Sequence, residues 1–141
     1  MAKKEVGEFG TIYTQFKNRP KEAIKHLKKV KEGECIAALY REDIGYVDLV
    51  WGENDKKNKG YGLKHIIEKH GVQIKELGFE VEDFIPIIFQ FGNLSVSKSN
   101  EEYMLESKMF RVVIEKTYKG RKKCWVLTAF DLRKRDTKEK K

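Results

Sequence analysis

The fold of this chain is set by residues 109–132, whose sequence is MFRVVIEKTYKGRKKCWVLTAFDL. β-Branched and aromatic residues alternate with polar ones on both sides of Lys119-Gly120-Arg121, which is typical of two antiparallel strands joined by a tight turn. Two more strands are predicted upstream, at residues 94–98 (LSVSK) and 102–107 (EYMLES). The last third of the chain is therefore interpreted as an antiparallel β-meander.

The two strands of this hairpin have faces of different character, because side chains alternate between the faces of a sheet. If the loop has two residues, the numbers of any two residues that face each other across the hairpin add up to an odd number. This register places Arg111, Glu115 and Thr128 on one mixed polar face. The other face then carries the apolar residues Phe110, Val112, Ile114, Trp125, Leu127 and Ala129. A three-residue loop would instead put Lys116 opposite the Thr128 face. We prefer the odd register, which separates apolar from polar residues better, and expect helices to cover the apolar face and leave the polar face open.

Two helical patterns precede the meander. Pro20 favours a helix start, and apolar residues at spacings of three and four continue that helix toward Gly33. The segment from Leu63 to His70 has the same spacing and predicts a second helix, which Gly71 ends.

Three further segments complete the chain. Residues 34–40 and 44–51 predict a short β-hairpin. Residues 52–62 (GENDKKNKGYG) predict an exposed loop with enough glycine for backbone to approach a ligand closely. In the apolar block at residues 81–91, Pro86 indicates a helix that starts late or kinks.

These elements predict the α+β class, with the N-terminal helices and the short hairpin packed on one face of an antiparallel sheet of about four strands. A length of 141 residues suits one domain. We expect this domain to span residues 1–132. The charged segment 133–141 has no apolar residue, and we expect it to be a disordered tail.

The composition favours an anionic partner. Thirty basic and 22 acidic residues give a net charge of +8, which suits RNA, DNA or an acidic protein. No apolar run is long enough to span a membrane, and the first ten residues lack the apolar core of a signal peptide. We therefore expect a cytoplasmic protein without a membrane partner. Cys35 and Cys124 form neither a metal motif nor a disulfide framework.

The three histidines predict no metal site, and the sequence has no phosphate-binding loop, dinucleotide fingerprint or other cofactor motif. His65 and His70 are five positions apart, which predicts different sides of a helix. His65 lies about 160° from the apolar stripe that includes His70, at about 100° per residue. We therefore expect His65 at the surface and His70 toward the core.

Metal-free RNA cleavage needs only a base for the 2′-hydroxyl, an acid for the leaving oxygen and cations for the phosphate. His65 and His70 could transfer the protons, because imidazole titrates near neutral pH. Arg111 could hold a phosphate with two hydrogen bonds, Thr128 could orient it, and Lys116 could add charge. The alternatives are a surface histidine, a structural imidazole near a helix C-terminus, and an exposed Arg–Glu pair across two strands.

The motifs IGYVDLVWG at residues 44–52 and GLKHIIEKHG at residues 62–71 resemble the phage-associated branch of the barnase–EndoU–colicin–RelE-like nuclease superfamily. The resemblance extends over about residues 9 to 132. Three more segments are similar to that branch, at residues 16–24, 111–114 and 125–130.

The resemblance implies helices that precede a four-stranded antiparallel sheet, and metal-independent RNA cleavage at the open face of that sheet. It points to His65 on the helix and to Arg111 and Thr128 on the last two strands. His70 matches the second histidine of the motif. No cofactor is implied.

One position departs from the family pattern. Tyr46 stands where the Gly-Asp-Ile-Asp pattern of the family has an acidic residue. Any role of that acidic pair would either fall to Asp48 alone or be lost, and the resemblance supports the fold more strongly than catalytic turnover.

Three functions are compatible with these observations. The first is a metal-independent endoribonuclease, toxin-like or associated with a prophage, that cleaves RNA by 2′-hydroxyl transesterification. The second is a catalytically inactive nucleic-acid-binding module of the same fold, whose affinity would fall steeply with salt. The third is a protein-interaction domain whose basic surface binds an acidic partner, such as an antitoxin or immunity protein.

Overall fold

The computed structural model of the chain describes residues 5–57 and 59–132, with only the backbone of Asp131. The predicted α+β class is confirmed, and the predicted tail at 133–141 lies outside the described residues. The helices are α1 (Pro20–Val30), α2 (Gly62–Glu76) and α3 (Val81–Phe91). The strands are β1 (Glu5–Gly7), β2 (Gly10–Tyr13), β3 (Glu34–Arg41), β4 (Gly45–Val50), β5 (Glu53–Asn54), β6 (Gly60–Tyr61), β7 (Asn93–Val96), β8 (Glu102–Glu106), β9 (Phe110–Tyr118) and β10 (Arg121–Asp131).

The main sheet has eight strands in the order β1-β2-β3-β4-β10-β9-β8-β7, so the prediction of about four strands was wrong. The meander supplies β7 to β10 as predicted. The β3–β4 hairpin does not pack on a face of this sheet but extends it, because β4 pairs in parallel with the edge of β10. Edge pairing gives the free backbone groups of β10 a partner, and no local sequence pattern encodes such a long-range parallel pair. Strands β5 and β6 form a separate ribbon.

The junction between β4 and β10 is short. Trp125 on β10 pairs with Asp48 on β4, and this is the one backbone pair that joins these strands in the described part of the chain. Beside it, the Lys123 ammonium donates to Asp48 Oδ2 and to Glu34 Oε1, each at 2.6 Å. Glu34 is only 4% exposed. The ion pairs therefore connect β3, β4 and β10 in a largely buried place.

The core lies on one face of the sheet, under α1 and α3. Phe110, Val112 and Ile114 are buried there as predicted, and the Phe84 ring on α3 contacts the Phe110 ring at 4.5 Å between centroids. Arg41 on β3 connects the sheet to the same helix, because its Nη1 donates to backbone carbonyls at the C-terminal end of α3. The predicted burial of these three residues on one face of β9 is therefore confirmed. The expectation that the Arg111 face stays open was wrong, because Val113 and Trp125 on that face are only 7% and 4% exposed.

The register of the β9–β10 hairpin departs from the prediction in its middle. The two-residue turn Lys119-Gly120 forms as expected, but two β-bulge irregularities follow on β10. Trp125 pairs with Glu115 and thus moves to the polar face, while Val126 takes the core position opposite Ile114. The placement of Trp125 and Leu127 in the core face was therefore wrong. Because the two shifts together restore the alternation, Arg111 and Thr128 share one face as predicted.

Two helix boundaries also differ from the expectation. α2 continues through Gly71 to Glu76, since burial of Ile74 beyond the glycine contributes about 1.5–3 kcal/mol against a glycine cost of about 1 kcal/mol. α3 begins at Val81 rather than late and contains Pro86. The hydrogen bond lost at Pro86 costs about 3 kcal/mol. The free energy gained by burying the side chains of this helix is larger, and the buried residues are Phe84, Ile85, Ile88 and Phe89. None of the helices in the described part of the chain is both long and apolar enough to cross a membrane.

The N-terminus of α2 is fixed to the end of β4 at Gly52. The Lys64 N–H donates to the Trp51 carbonyl at 2.8 Å, and Gly52 has a left-handed φ of 79°. A Cβ atom at Gly52 would lie 2.0 Å from the Tyr61 carbonyl oxygen. This close approach of two backbones requires glycine and determines where α2 starts.

We expect Gly52→Ala to lower the free energy of unfolding by more than Gly120→Ala. Gly120 has nearly the same φ, 78°, but a Cβ there would have nothing within 4 Å. The left-handed backbone should cost about 1–2 kcal/mol in both variants. Gly52→Ala should lose about 1–3 kcal/mol more from overpacking against Tyr61. Chemical denaturation of both variants measures the difference, and equal losses would contradict the role given to Gly52.

Candidate functional site

Helix α2 packs along β10, and both run in the same direction. The side of α2 that carries His65 and His70 lies against the Arg111 face of the sheet. At the start of the helix the Tyr61 ring lies 5.6 Å from that of Trp125, and nine residues later the His70 ring lies 6.1 Å from that of Phe130. Trp125 and Phe130 are both on the face of β10 that carries Arg111. Leu63, Ile66 and Ile74 on the opposite flank of α2 belong to the core.

The two histidines of α2 lie together. The centroids of the His65 and His70 rings are 5.8 Å apart in a T-shaped arrangement, so the expectation that they point to different sides was wrong. Two residues five positions apart are separated by about 140° around the helix axis. Each is therefore only about 70° from the direction midway between them. Both rings lie toward that direction. His65 was also expected at the surface, whereas only 6% of it is exposed.

Arg111 and Thr128 supply the sheet side of this site. The Arg111 guanidinium stacks over the Phe130 ring, with Cζ 5.6 Å from the centroid, and Nη2 donates to Glu106 at 3.0 Å. Its side chain is 22% exposed. Two buried polar atoms, Arg111 Nε and Thr128 Oγ1, have no hydrogen-bonding partner among the residues that the structure describes.

Contacts connect the helix to the sheet from His65 through His70 and Phe130 to Arg111. We call this series of four side chains the His–Arg row. Thr128 lies on the same face, opposite Val113 on β9. Four of the five residues predicted for the site are thus gathered between α2 and one face of the sheet.

Lys116 is not brought to this site. It alternates to the opposite face of β9 from Arg111, where its ammonium lies 3.2 Å from Asn100 Oδ1 and 4.8 Å from the centroid of Tyr103. Glu115 is on the Arg111 face, opposite Trp125. Burial, together with the neighbouring carboxylate of Glu102, raises the pKa of Glu115.

Asp48, the acidic residue that remains from the family pattern, lies at the junction of β4 with β10. Asp48 accepts hydrogen bonds from the Ala37 N–H at 2.7 Å and from Lys123 at 2.6 Å. Ala37 has a left-handed φ of 56°, so this bond stabilises a strained position in β3. Tyr46, the departure from the pattern, stacks with Tyr40 and is 45% exposed.

Sequence reasoning missed Asn54. Its Oδ1 lies 2.8 Å from His65 Nδ1, and its Nδ2 donates to Glu68 Oε1 at 3.0 Å. Asn54 lies on β5, within the segment predicted as an unstructured exposed loop, where no periodic pattern relates it to His65. Gly60, which pairs with Asn54 in the ribbon, has to be glycine, because a Cβ there would lie 1.9 Å from the Glu53 carbonyl oxygen.

The surroundings of His65 favour its neutral form. Burial lowers the pKa of His65 below its ordinary value, and the positive charge of Lys69 lowers it further. Asp55 acts in the opposite direction and does not reverse the shift. The ring is therefore uncharged at neutral pH, as proton acceptance requires. Within residues 5–57 and 59–132, no group of three or more histidine, cysteine or acidic residues could hold a metal ion.

Comparison with known protein families gives one match. The family model described as phage-Barnase-EndoU-ColicinE5/D-RelE like nuclease1 matches residues 38–136, which is well over half of the chain. The matched region contains β4, α2, β9 and β10, and therefore both sides of the site. No curated protein and no solved structure matches the chain significantly.

We expect Lys69→Gln to raise the pKa of His65, because the substitution removes a positive charge that opposes protonation of the ring. The measurement is an NMR pH titration of the His65 ring in both proteins. Lys75→Gln is the matched control, since Lys75 is an exposed lysine in the last turn of the same helix. A pKa of His65 that stays the same or falls in Lys69→Gln would contradict this account of its electrostatics.

Proposed function

The chain belongs to the phage-Barnase-EndoU-ColicinE5/D-RelE like nuclease1 family, and on that basis we propose that it is a metal-independent endoribonuclease. The observation that carries the proposal is the His–Arg row, in which the two imidazoles contact each other and the Phe130 ring lies between His70 and the Arg111 guanidinium. These are the groups that RNA cleavage by an internal hydroxyl needs.

The proposed reaction is a transesterification within the RNA chain. A base removes the proton of the 2′-hydroxyl, and the 2′-oxygen attacks the adjacent phosphorus. The bond from phosphorus to the 5′-oxygen breaks, and an acid protonates that leaving oxygen. The products are a 2′,3′-cyclic phosphate and a free 5′-hydroxyl. His65 and His70 are the two proton-transfer groups of the proposal.

Arg111 and Thr128 would hold the phosphate. The planar guanidinium can donate from two nitrogens to two phosphate oxygens, and its contacts with Phe130 and Glu106 restrict its orientation. Arg111 Nε and Thr128 Oγ1 are buried without a partner among the described residues, and a phosphate oxygen that entered beside them would satisfy them. Lys116 lies on the other face of β9 and takes no part in the proposal.

The proposed substrate and biological role rest on the net charge of the chain and on its family. A net charge of +8 attracts a polyanion and speeds its association. We propose RNA as the partner and a toxin-like or prophage-associated role in the cytoplasm. An acidic antitoxin or immunity protein would suit the same positive charge.

We expect the purified protein to cleave a structured RNA in excess EDTA and to leave 2′,3′-cyclic phosphate ends. His65→Gln should slow cleavage by roughly 10²–10⁴-fold if the ring transfers a proton. His26→Gln is the matched control, because His26 lies on α1 against Tyr13 and Phe16. End-group analysis and single-turnover rates measure both effects. A folded protein that leaves RNA intact but binds it with a steep salt dependence would instead be a binding module.

Arg111→Gln should reduce the cleavage rate by roughly 10²–10³-fold, as loss of a donor to a developing negative charge does elsewhere. Arg121→Gln provides the control, since Arg121 is an exposed arginine at the β9–β10 turn that pairs with Glu8. Single-turnover rates with the same RNA measure the effect. If both variants cleave at the same rate, Arg111 does not hold the reacting phosphate.

A further inference from the structure

We propose that Asn54 is a positioning residue that fixes the tautomer of His65, so that His65 acts as the general base through Nε2. The catalytic part of this inference rests on the proposed ribonuclease function. The tautomer itself is a property of the folded chain and can be tested without RNA.

The direction of the hydrogen bonds determines the tautomer. Glu68 is a carboxylate that only accepts, so the Asn54 amide must turn its Nδ2 toward Glu68 and its Oδ1 toward His65. A carbonyl oxygen also only accepts, and the hydrogen in the 2.8 Å contact must therefore come from His65 Nδ1. A neutral imidazole carries one N–H, which leaves a lone pair on Nε2. No hydrogen-bonding partner for Nε2 is found in the part of the chain that the structure describes.

The ribbon that carries Asn54 is held in place independently of His65. Asp55 Oδ1 accepts from the N–H groups of Lys57 and Lys59 at 2.8 and 2.9 Å, which closes the turn of the ribbon. β6 then continues directly into Gly62, the first residue of α2. Asn54 and His65 are thus connected through a short and tightly packed stretch of chain.

The charges around His65 agree with a base rather than an acid. On α2, Lys69 opposes protonation of the ring, and Glu68 reaches it only through the Asn54 amide. Asp55 at the end of the ribbon favours protonation but is outweighed by burial and Lys69. The other neighbour is the His70 ring. The ring therefore starts the reaction unprotonated.

In the proposed step, Nε2 takes the proton of the 2′-hydroxyl while the 2′-oxygen forms its bond to phosphorus. His65 becomes an imidazolium with hydrogens on both nitrogens, and its Nδ1–H still donates to Asn54. Glu68, one hydrogen bond further, offsets the new positive charge. The acid that protonates the leaving 5′-oxygen is then a different group, and His70 is the neighbouring candidate.

The first test is ¹⁵N NMR of the histidine rings in the whole protein without RNA, above the pKa of His65. We expect His65 to carry its hydrogen on Nδ1. In Asn54→Leu, which is similar in size but can neither accept nor donate, that preference should be lost. A hydrogen on Nε2 in the unsubstituted protein, or an unchanged tautomer in Asn54→Leu, would overturn the inference whether or not the protein cleaves RNA.

The second test separates positioning from a merely structural role. Asn54→Asp keeps an acceptor for Nδ1–H but adds a negative charge, so the acid limb of the pH–rate profile should move to higher pH. Asn54→Leu should lower kcat by roughly 10–100-fold, as loss of a residue that orients a functional histidine commonly does. If the midpoint of the acid limb stays unchanged in Asn54→Asp, the group that titrates there is not the ring beside position 54, and that result would overturn the inference. Absence of cleavage by the unsubstituted protein would refute the ribonuclease proposal and leave the NMR result to stand alone.

Discussion

The architecture depends on how β10 is attached to β4. One backbone pair, Trp125 with Asp48, joins the N-terminal half of the sheet to the meander, and Lys123 connects Asp48 with the buried Glu34 beside it. Removal of one partner from a buried ion pair typically costs about 3–5 kcal/mol, because an unpaired charge remains. Lys123, Asp48 and Glu34 therefore stabilise the junction between the two halves of the sheet.

The packing of α2 on β10 explains where the site lies. α2 packs on β10, with an apolar flank that joins the core and a polar flank that reaches the opposite face of the sheet. A helix that lay wholly on the core side would bury its histidines among aliphatic residues. In this chain the helix instead brings His65 and His70 to the face where Arg111 and Thr128 lie. The bulges in β10 contribute by turning Trp125 to that face, where Phe9, Tyr61 and Tyr118 surround it.

The sequence was sufficient for features that depend on local alternation and spacing. The hairpin of β9 and β10, the shared face of Arg111 and Thr128 and the positions of the three helices follow from such patterns. The size of the sheet could not be predicted, because the parallel pairing of β4 with β10 joins segments that are far apart in the chain. The two bulges had no local signal either, and neither did Asn54, whose partners are determined by the folded ribbon. The resemblance of the motifs around residues 44–71 identified the family correctly, while its residue roles remain predictions.

The ribbon of β5 and β6 connects exposed residues at the surface with a histidine that is almost completely buried. The described residues of its turn, 55–57 and 59, are exposed, and Asn54 on its first strand lies 2.8 Å from His65 Nδ1. Displacement of the ribbon would therefore change the hydrogen bonding of a ring that is only 6% exposed.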